Sequence, residues 1–208
     1  MFDARLRPLI DPPLNVLGRK IAAAGIGANA VTVLGFAFGV GAALAISSGA
    51  TLIGFLLIAL NRLADGLDGA VARATHKTDL GGYLDISLDF FFYGAIPLSF
   101  AFLDPEANAL AAAALLCSFY ANGSAFLAFA IMAEKRGLAT QSQGAKSLYY
   151  LSGLAEGTET IALFLLVALR PDWFPVLAWA FAAICFVSAG ARVLMGVSAL
   201  RHQPEPAE

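Results

Sequence analysis

Four aspartates, Asp65, Asp68, Asp85 and Asp89, fall within LNRLADGLDGAVARATHKTDLGGYLDISLDF, a segment set between long apolar runs. The first pair is spaced i,i+3 and the second i,i+4, so each pair shares one face of a helix. A carboxylate surrounded by hydrocarbon is costly, and four that converge repel one another. The pattern demands compensating cations. Two divalent ions would cancel four carboxylates, and an all-oxygen set with no His or Cys favours two Mg²⁺ or Mn²⁺ ions over zinc. A pair of such ions is suited to holding a diphosphate and stabilising displacement at phosphorus.

The neighbours of the aspartates fit that chemistry. Gly66, Gly69, Ala70 and Ala72 are small enough to let a diphosphate or nucleotide approach the helix backbone. Arg73, near the helix end, offers a guanidinium to a phosphate. Each has a plainer reading: small residues pack helices, an arginine anchors at the interface, and Asp85 alone would serve a helix N-terminus. The four aspartates taken together with Gly69, Ala72 and Arg73 are hard to explain as packing alone.

The elements that must position these residues are membrane spans. The chain has 208 residues, 59% hydrophobic and 13% charged, with a mean hydropathy of +0.75. A soluble domain of this size carries about twice that share of charge. A net charge of −2 leaves no footprint for nucleic acid. At roughly 20 apolar residues per span, six transmembrane helices are expected, near 31–48, 52–73, 82–103, 107–133, 158–169 and 173–197. The expected fold class is an all-α integral membrane protein with an N-terminal amphipathic juxtamembrane helix. That helix occupies residues 1–24, where Leu6, Leu9, Ile10, Leu14, Leu17 and Ile21 recur at helical spacing with an interruption expected at Pro12-Pro13. Residues 25–200 then form the six-helix catalytic domain, and 201–208 a disordered tail.

Charge orients the chain. With the N-terminus inside, Arg5, Arg7, Arg19, Lys20, Arg73, Lys77, Lys135, Arg136, Lys146, Arg192 and Arg201 lie on the cytoplasmic side, opposed by Arg170. The start MFDARLRPLIDPP has no apolar signal-peptide region, so the first span is expected to direct its own insertion. Both aspartate pairs then sit just under the cytoplasmic surface, joined by the short basic turn Ala74–Leu80. Trp173 and Trp179 suit an interfacial belt.

Other polar positions are read individually. Glu156 and Glu159 open the fifth span, where they either line an acceptor site or satisfy the helix start and pair with Arg192. Lys146 either recognises an anionic acceptor or is a surface cation. Arg62 is expected to pair with an acidic neighbour within the bundle, and Asn122 and Ser124 to bond between helices. Cys117 and Cys185 read as core thiols, and the Phe90–Tyr93 run as lipid-facing or dimer-facing packing. His76 and His202 are not credible ligands.

The motif Asp65-x-x-Asp68-Gly69-x-x-Ala72-Arg73, followed by Gly81-x-x-x-Asp85-x-x-x-Asp89, resembles the signature of the CDP-alcohol phosphatidyltransferase family. The resemblance covers about residues 26–192 and implies a six-helix membrane enzyme. It implies that Asp65, Asp68, Asp85 and Asp89 bind the metal ions and that Asp89 is the general base. Gly69, Ala72 and Arg73 match nucleotide-side positions. Asn29 and Thr32 are similar to an Asn-x-x-Thr element near the nucleotide, although Ala28 stands where the family has proline. Thr78 matches a threonine of the connecting turn, which is one residue shorter here than is usual.

The implied reaction is transfer of a substituted phosphate, typically phosphatidyl, from a CDP-alcohol such as CDP-diacylglycerol to a hydroxyl acceptor, releasing CMP. The setting is phospholipid synthesis among membrane lipids, with a homodimer, a bacterial inner (cytoplasmic) membrane and a cytoplasm-facing active site as further expectations. The signature does not select the acceptor. Two other classes use buried aspartates. Membrane prenyltransferases have acidic motifs far apart in longer chains, whereas both pairs here lie close together. Cation transporters place carboxylates near midplane on broken helices.

Overall fold

The computed structural model describes residues 3–136 and 157–201, and every regular element among them is helical. In chain order they are α1 (Asp3–Ala23), α2 (Ala28–Ser47), α3 (Thr51–Ala74), α4 (Asp79–Leu103), α5 (Pro105–Lys135), α6 (Gly157–Leu169) and α7 (Phe174–Arg201). A 3-10 turn, Pro171–Trp173, leads into α7. Among the described residues, four helical stretches are long and apolar enough to cross a bilayer: Ala28–Ser47, Asp79–Leu103, Pro105–Lys135 and Pro171–Arg201. The 24 residues of α3 have the length for a span but include Arg62, Asp65, Asp68 and Arg73. The described part of α6 is 13 residues long.

The joints are short and chemically specified. Gly25 and Gly49 adopt φ of +80° and +87° in the α1–α2 and α2–α3 turns, a conformation that disfavours any side chain. Asp104 alone joins α4 to α5. Its side chain accepts from the Ala107 N–H at 3.1 Å, and Pro105 fills the first helical position, where no N–H is needed.

Helix α2 packs against both α3 and α4, and the three form the half of the molecule that holds the aspartates. Glycine makes their approach possible. A Cβ at Gly35 would lie 2.9 Å from the Ala64 Cβ, and one at Gly39 2.7 Å from the Phe92 ring. The Asn61 side-chain amide donates to the Gly35 carbonyl at 2.8 Å, tying α3 to α2 in a buried position. The other half is an apolar core from Phe92, Ile96 and Phe100 of α4, Leu115 of α5, Phe164 and Val167 of α6, and Phe174 of α7. Phe100 and Phe174 stack with centroids 4.4 Å apart. Large apolar side chains such as Leu44, Leu110, Val176 and Leu194 face outward, as lipid contact requires.

Several expectations are corrected. The first helix runs unbroken through Pro12-Pro13: both rings are exposed, and the opposite face is held against α3 by Leu14 and Gly18. Cys117 is exposed, and only Cys185 is a core thiol. Ser124 donates to Ala121 of its own helix at 3.1 Å rather than to a neighbour, because a hydroxyl one turn from a carbonyl is satisfied locally. Asn122 keeps a buried Oδ1 without a partner. Within the aromatic run, Phe90 and Phe91 are exposed, but Phe92 is fully buried and Tyr93 packs on the core.

Candidate active site

The two aspartate pairs meet. Asp65 and Asp68 on α3 and Asp85 and Asp89 on α4 line one open cleft, together with Thr32, Gly35 and Phe36 of α2, Asn61, Arg62 and Leu88. Helices α3 and α4 both pack on α2, and the short Thr75–Thr78 connection sets the C-terminal part of α3 and the N-terminal part of α4 on either side of the cleft. The i,i+3 and i,i+4 spacings put each pair on one face of its helix, so all four residues border the cleft.

Burial differs among them. Asp68 is buried, its residue only 7% accessible, and its Oδ2 has no hydrogen-bond partner. The Thr32 side chain stands beside that carboxyl. Asp85 is exposed, while Asp65 and Asp89 are half-buried. A buried carboxylate oxygen with no donor is unstable unless a cation or water reaches it.

One cation already belongs to the cleft. Arg62 donates from Nη2 to Asp89 Oδ1 at 2.7 Å and stands 3.7 Å from Asp65 Oδ2. Its guanidinium lies over the Phe92 ring at 4.7 Å and the Tyr93 ring at 5.8 Å, so Phe92 supports the site from beneath. The acidic partner expected for Arg62 is therefore Asp89, with Asp65 behind it. Among the described residues, no three carboxylates, thiols or imidazoles converge tightly enough to hold an ion as they stand.

The remaining candidates form a rim toward the N-terminal end of α4. Thr78 caps that helix, accepting from the Gly81 N–H at 3.0 Å. The Asn29 Oδ1 and the Thr78 hydroxyl each lie 3.1 Å from where a Cβ on Gly81 would stand, so glycine there keeps α2 and α4 close. Ala72 is half-buried. Arg73 is fixed from an unforeseen direction, its Nε and Nη2 donating to Asn15 Oδ1 of α1 at 3.1 and 3.0 Å. Gly69 faces the same guanidinium, with Arg73 Nη1 3.3 Å from the position of a Cβ. Gly66 and Ala70 are instead packing residues, closed over by Leu14 and Gly18 of α1.

Asn15 and Phe92 are absent from the signature, and no sequence spacing points to them. Glu159 is half-buried in the first turn of α6, and His76 is exposed. Glu156, Lys146 and His202 lie outside the described residues.

A family model described as CDP-alcohol phosphatidyltransferase matches residues 26–188, which include every helix that lines the cleft. The chain belongs to the CDP-alcohol phosphatidyltransferase family. It is accordingly a membrane transferase of substituted phosphate groups, drawing on a CDP-alcohol donor in phospholipid biosynthesis. It is 47% identical over 201 residues to the inner membrane protein YnjF of Escherichia coli K12, covering 97% of this chain and 98% of that one. An archaetidylinositol phosphate synthase of Pyrococcus horikoshii is 33% identical over 87 residues, 41% of this chain and 46% of that protein. The fold is shared with the crystal structure of Mycobacterium tuberculosis phosphatidylinositol phosphate synthase with CDP-DAG bound: TM-score 0.56, 23% identity, 90% of this chain and 92% of that one.

Proposed function

We propose that this transferase moves a phosphatidyl group from CDP-diacylglycerol, or a close CDP-alcohol, to a hydroxyl acceptor at the cytoplasmic side of a bacterial inner membrane. The observation that carries the reading is the cleft itself: four aspartates from two facing helices, one of them buried with an unpartnered oxygen. The donor set fits divalent ions. It is all carboxylate oxygen, and Asp68 Oδ2 lacks the partner that a cation would supply. Asp65, Asp68, Asp85 and Asp89 would hold two Mg²⁺ or Mn²⁺ ions, which supply charge neutralisation at the diphosphate.

The chain's own residues do the rest. Arg73, steadied by Asn15, offers its guanidinium to the nucleotide's phosphate side. Gly69 and Ala72 leave space for the nucleotide along α3, and Asn29, Thr32 and Thr78 line its polar edge. Asp89 takes the proton of the acceptor hydroxyl. The acceptor oxygen bonds to the β-phosphorus as the bond from that phosphorus to the CMP oxygen breaks, and CMP leaves with the electron pair. Phe36 and Leu88 supply the apolar part of the cleft lining.

For the whole chain, the proposal is six spans, α2 to α7, with α1 lying at the interface and both termini inside. The outward Ile10, Val16 and Leu17 of α1 suit that placement among membrane lipids. A homodimer through transmembrane helices completes the assembly. The test is CMP release from CDP-diacylglycerol by purified protein with Mg²⁺ and a panel of hydroxyl acceptors. Release that requires both metal and acceptor, and that falls about a hundredfold or more in Asp89→Asn, is the expected result. Release unaffected by chelator or by Asp89→Asn would overturn the assignment.

A further inference from the structure

Arg62 is the fifth charged group of the cleft, and the transfer step gives it no task. Its position is highly determined. It is paired with Asp89 at 2.7 Å and close to Asp65 at 3.7 Å, and its Nε donates to Asn61 Oδ1 at 2.7 Å. Asn61 is in turn anchored to the Gly35 carbonyl. The faces of Phe92 and Tyr93 lie against the guanidinium.

We propose that Arg62 is a tethered counter-cation, which holds Asp89 and Asp65 while no divalent ion is bound and is displaced from them when the ions load. This rests on the metal reading above. Three observations carry it. Arg62 engages one carboxylate from each helix, so its one charge relieves the repulsion between the α3 and α4 pairs where they face each other. With Arg62 in place, no three carboxylates among the described residues converge tightly enough to hold an ion. Two divalent ions balance the four carboxylates by themselves, which makes the guanidinium charge surplus once they bind. Arg62 has somewhere to stay when released: Asn61 and the two ring faces hold it without either aspartate. It is a positioning residue, and it sets the metal concentration at which the cleft fills.

The experiment measures Mn²⁺ binding to the purified full chain by the loss of the free-ion electron paramagnetic resonance signal. Thermal unfolding is followed in parallel, in chelator and at saturating Mn²⁺. Arg62→Gln should bind Mn²⁺ on the order of tenfold more tightly, since a competing charge-assisted pair is gone. Its midpoint should fall in chelator and match wild type at saturating Mn²⁺. Arg62→Lys keeps the charge but loses the forked geometry, so it should fold normally and still bind a few-fold more tightly. Unchanged or weaker binding in both variants, with wild type binding normally, would overturn the inference alone and make Arg62 part of the loaded site. No Mn²⁺ binding by wild type would overturn the metal reading and this inference together.

Discussion

Asp68 is the aspartate whose environment is least tolerable without a cation, since it is buried with a bare Oδ2. Asp68→Asn should therefore weaken divalent-ion binding by at least about tenfold and cut CMP release about a hundredfold, without unfolding the chain. Titrating activity against Mg²⁺ checks this, and a variant with wild-type metal dependence would contradict it. Arg73 extends the same logic to the nucleotide. Asn15→Ala frees its guanidinium, so the KM for the CDP-donor should rise roughly five- to tenfold, with Mn²⁺ affinity unchanged. The aspartates were legible because helical spacing alone places them on facing surfaces. The pairing of Arg62 was legible in kind, since a cation deep in a span must find an acid, although Asp89 could not be singled out. Asn15 was invisible: it lies 58 residues from Arg73, and nothing local marks an asparagine in an amphipathic helix as a partner.

At the level of elements, α1 is more than an interfacial float. Gly18 meets α3 so closely that a Cβ there would stand 2.6 Å from the Ala70 Cβ and 2.8 Å from the Ala70 backbone carbon. Gly18→Ala should cost about 1–3 kcal/mol by overpacking and lower the melting midpoint in detergent by several degrees. Because the same docking carries Asn15, the donor KM should rise with it. Gly94→Ala is the control, because its Cβ would meet nothing within 4 Å and alanine favours the helix. Equal midpoints for the two variants would mean that α1 is not docked as described. Apolar run length placed the helix cores of α2 to α7 to within a few residues, and the turn chemistry of Gly49, Thr78 and Asp104 accounts for where they stop. Periodicity could not show that α1 survives two prolines, because what holds it together is contact with α3. Nor could it separate Gly66 and Ala70, which pack, from Gly69, which faces Arg73.

Over the whole molecule, the asymmetry of Lys and Arg predicts that both termini share one side and that the Arg170 turn faces the other. Single cysteines placed near residue 27 and residue 171, in a chain lacking Cys117 and Cys185, test this with a membrane-impermeant thiol reagent on intact cells. Only the second should label. Labelling of both, or of the first alone, would invert the proposed arrangement and put the cleft on the wrong side for CDP-linked donors. The acceptor was never readable, because the signature residues act on the diphosphate and the groups that would recognise the acceptor carry no fixed spacing. The shared cleft is tested most directly by Mn²⁺ stoichiometry, measured by equilibrium dialysis in the presence of a cytidine diphosphate. Two ions per chain in wild type, with loss of binding in both Asp68→Asn and Asp89→Asn, is the predicted result. Binding that persists when one residue of each pair is replaced, or no binding at all, would contradict it.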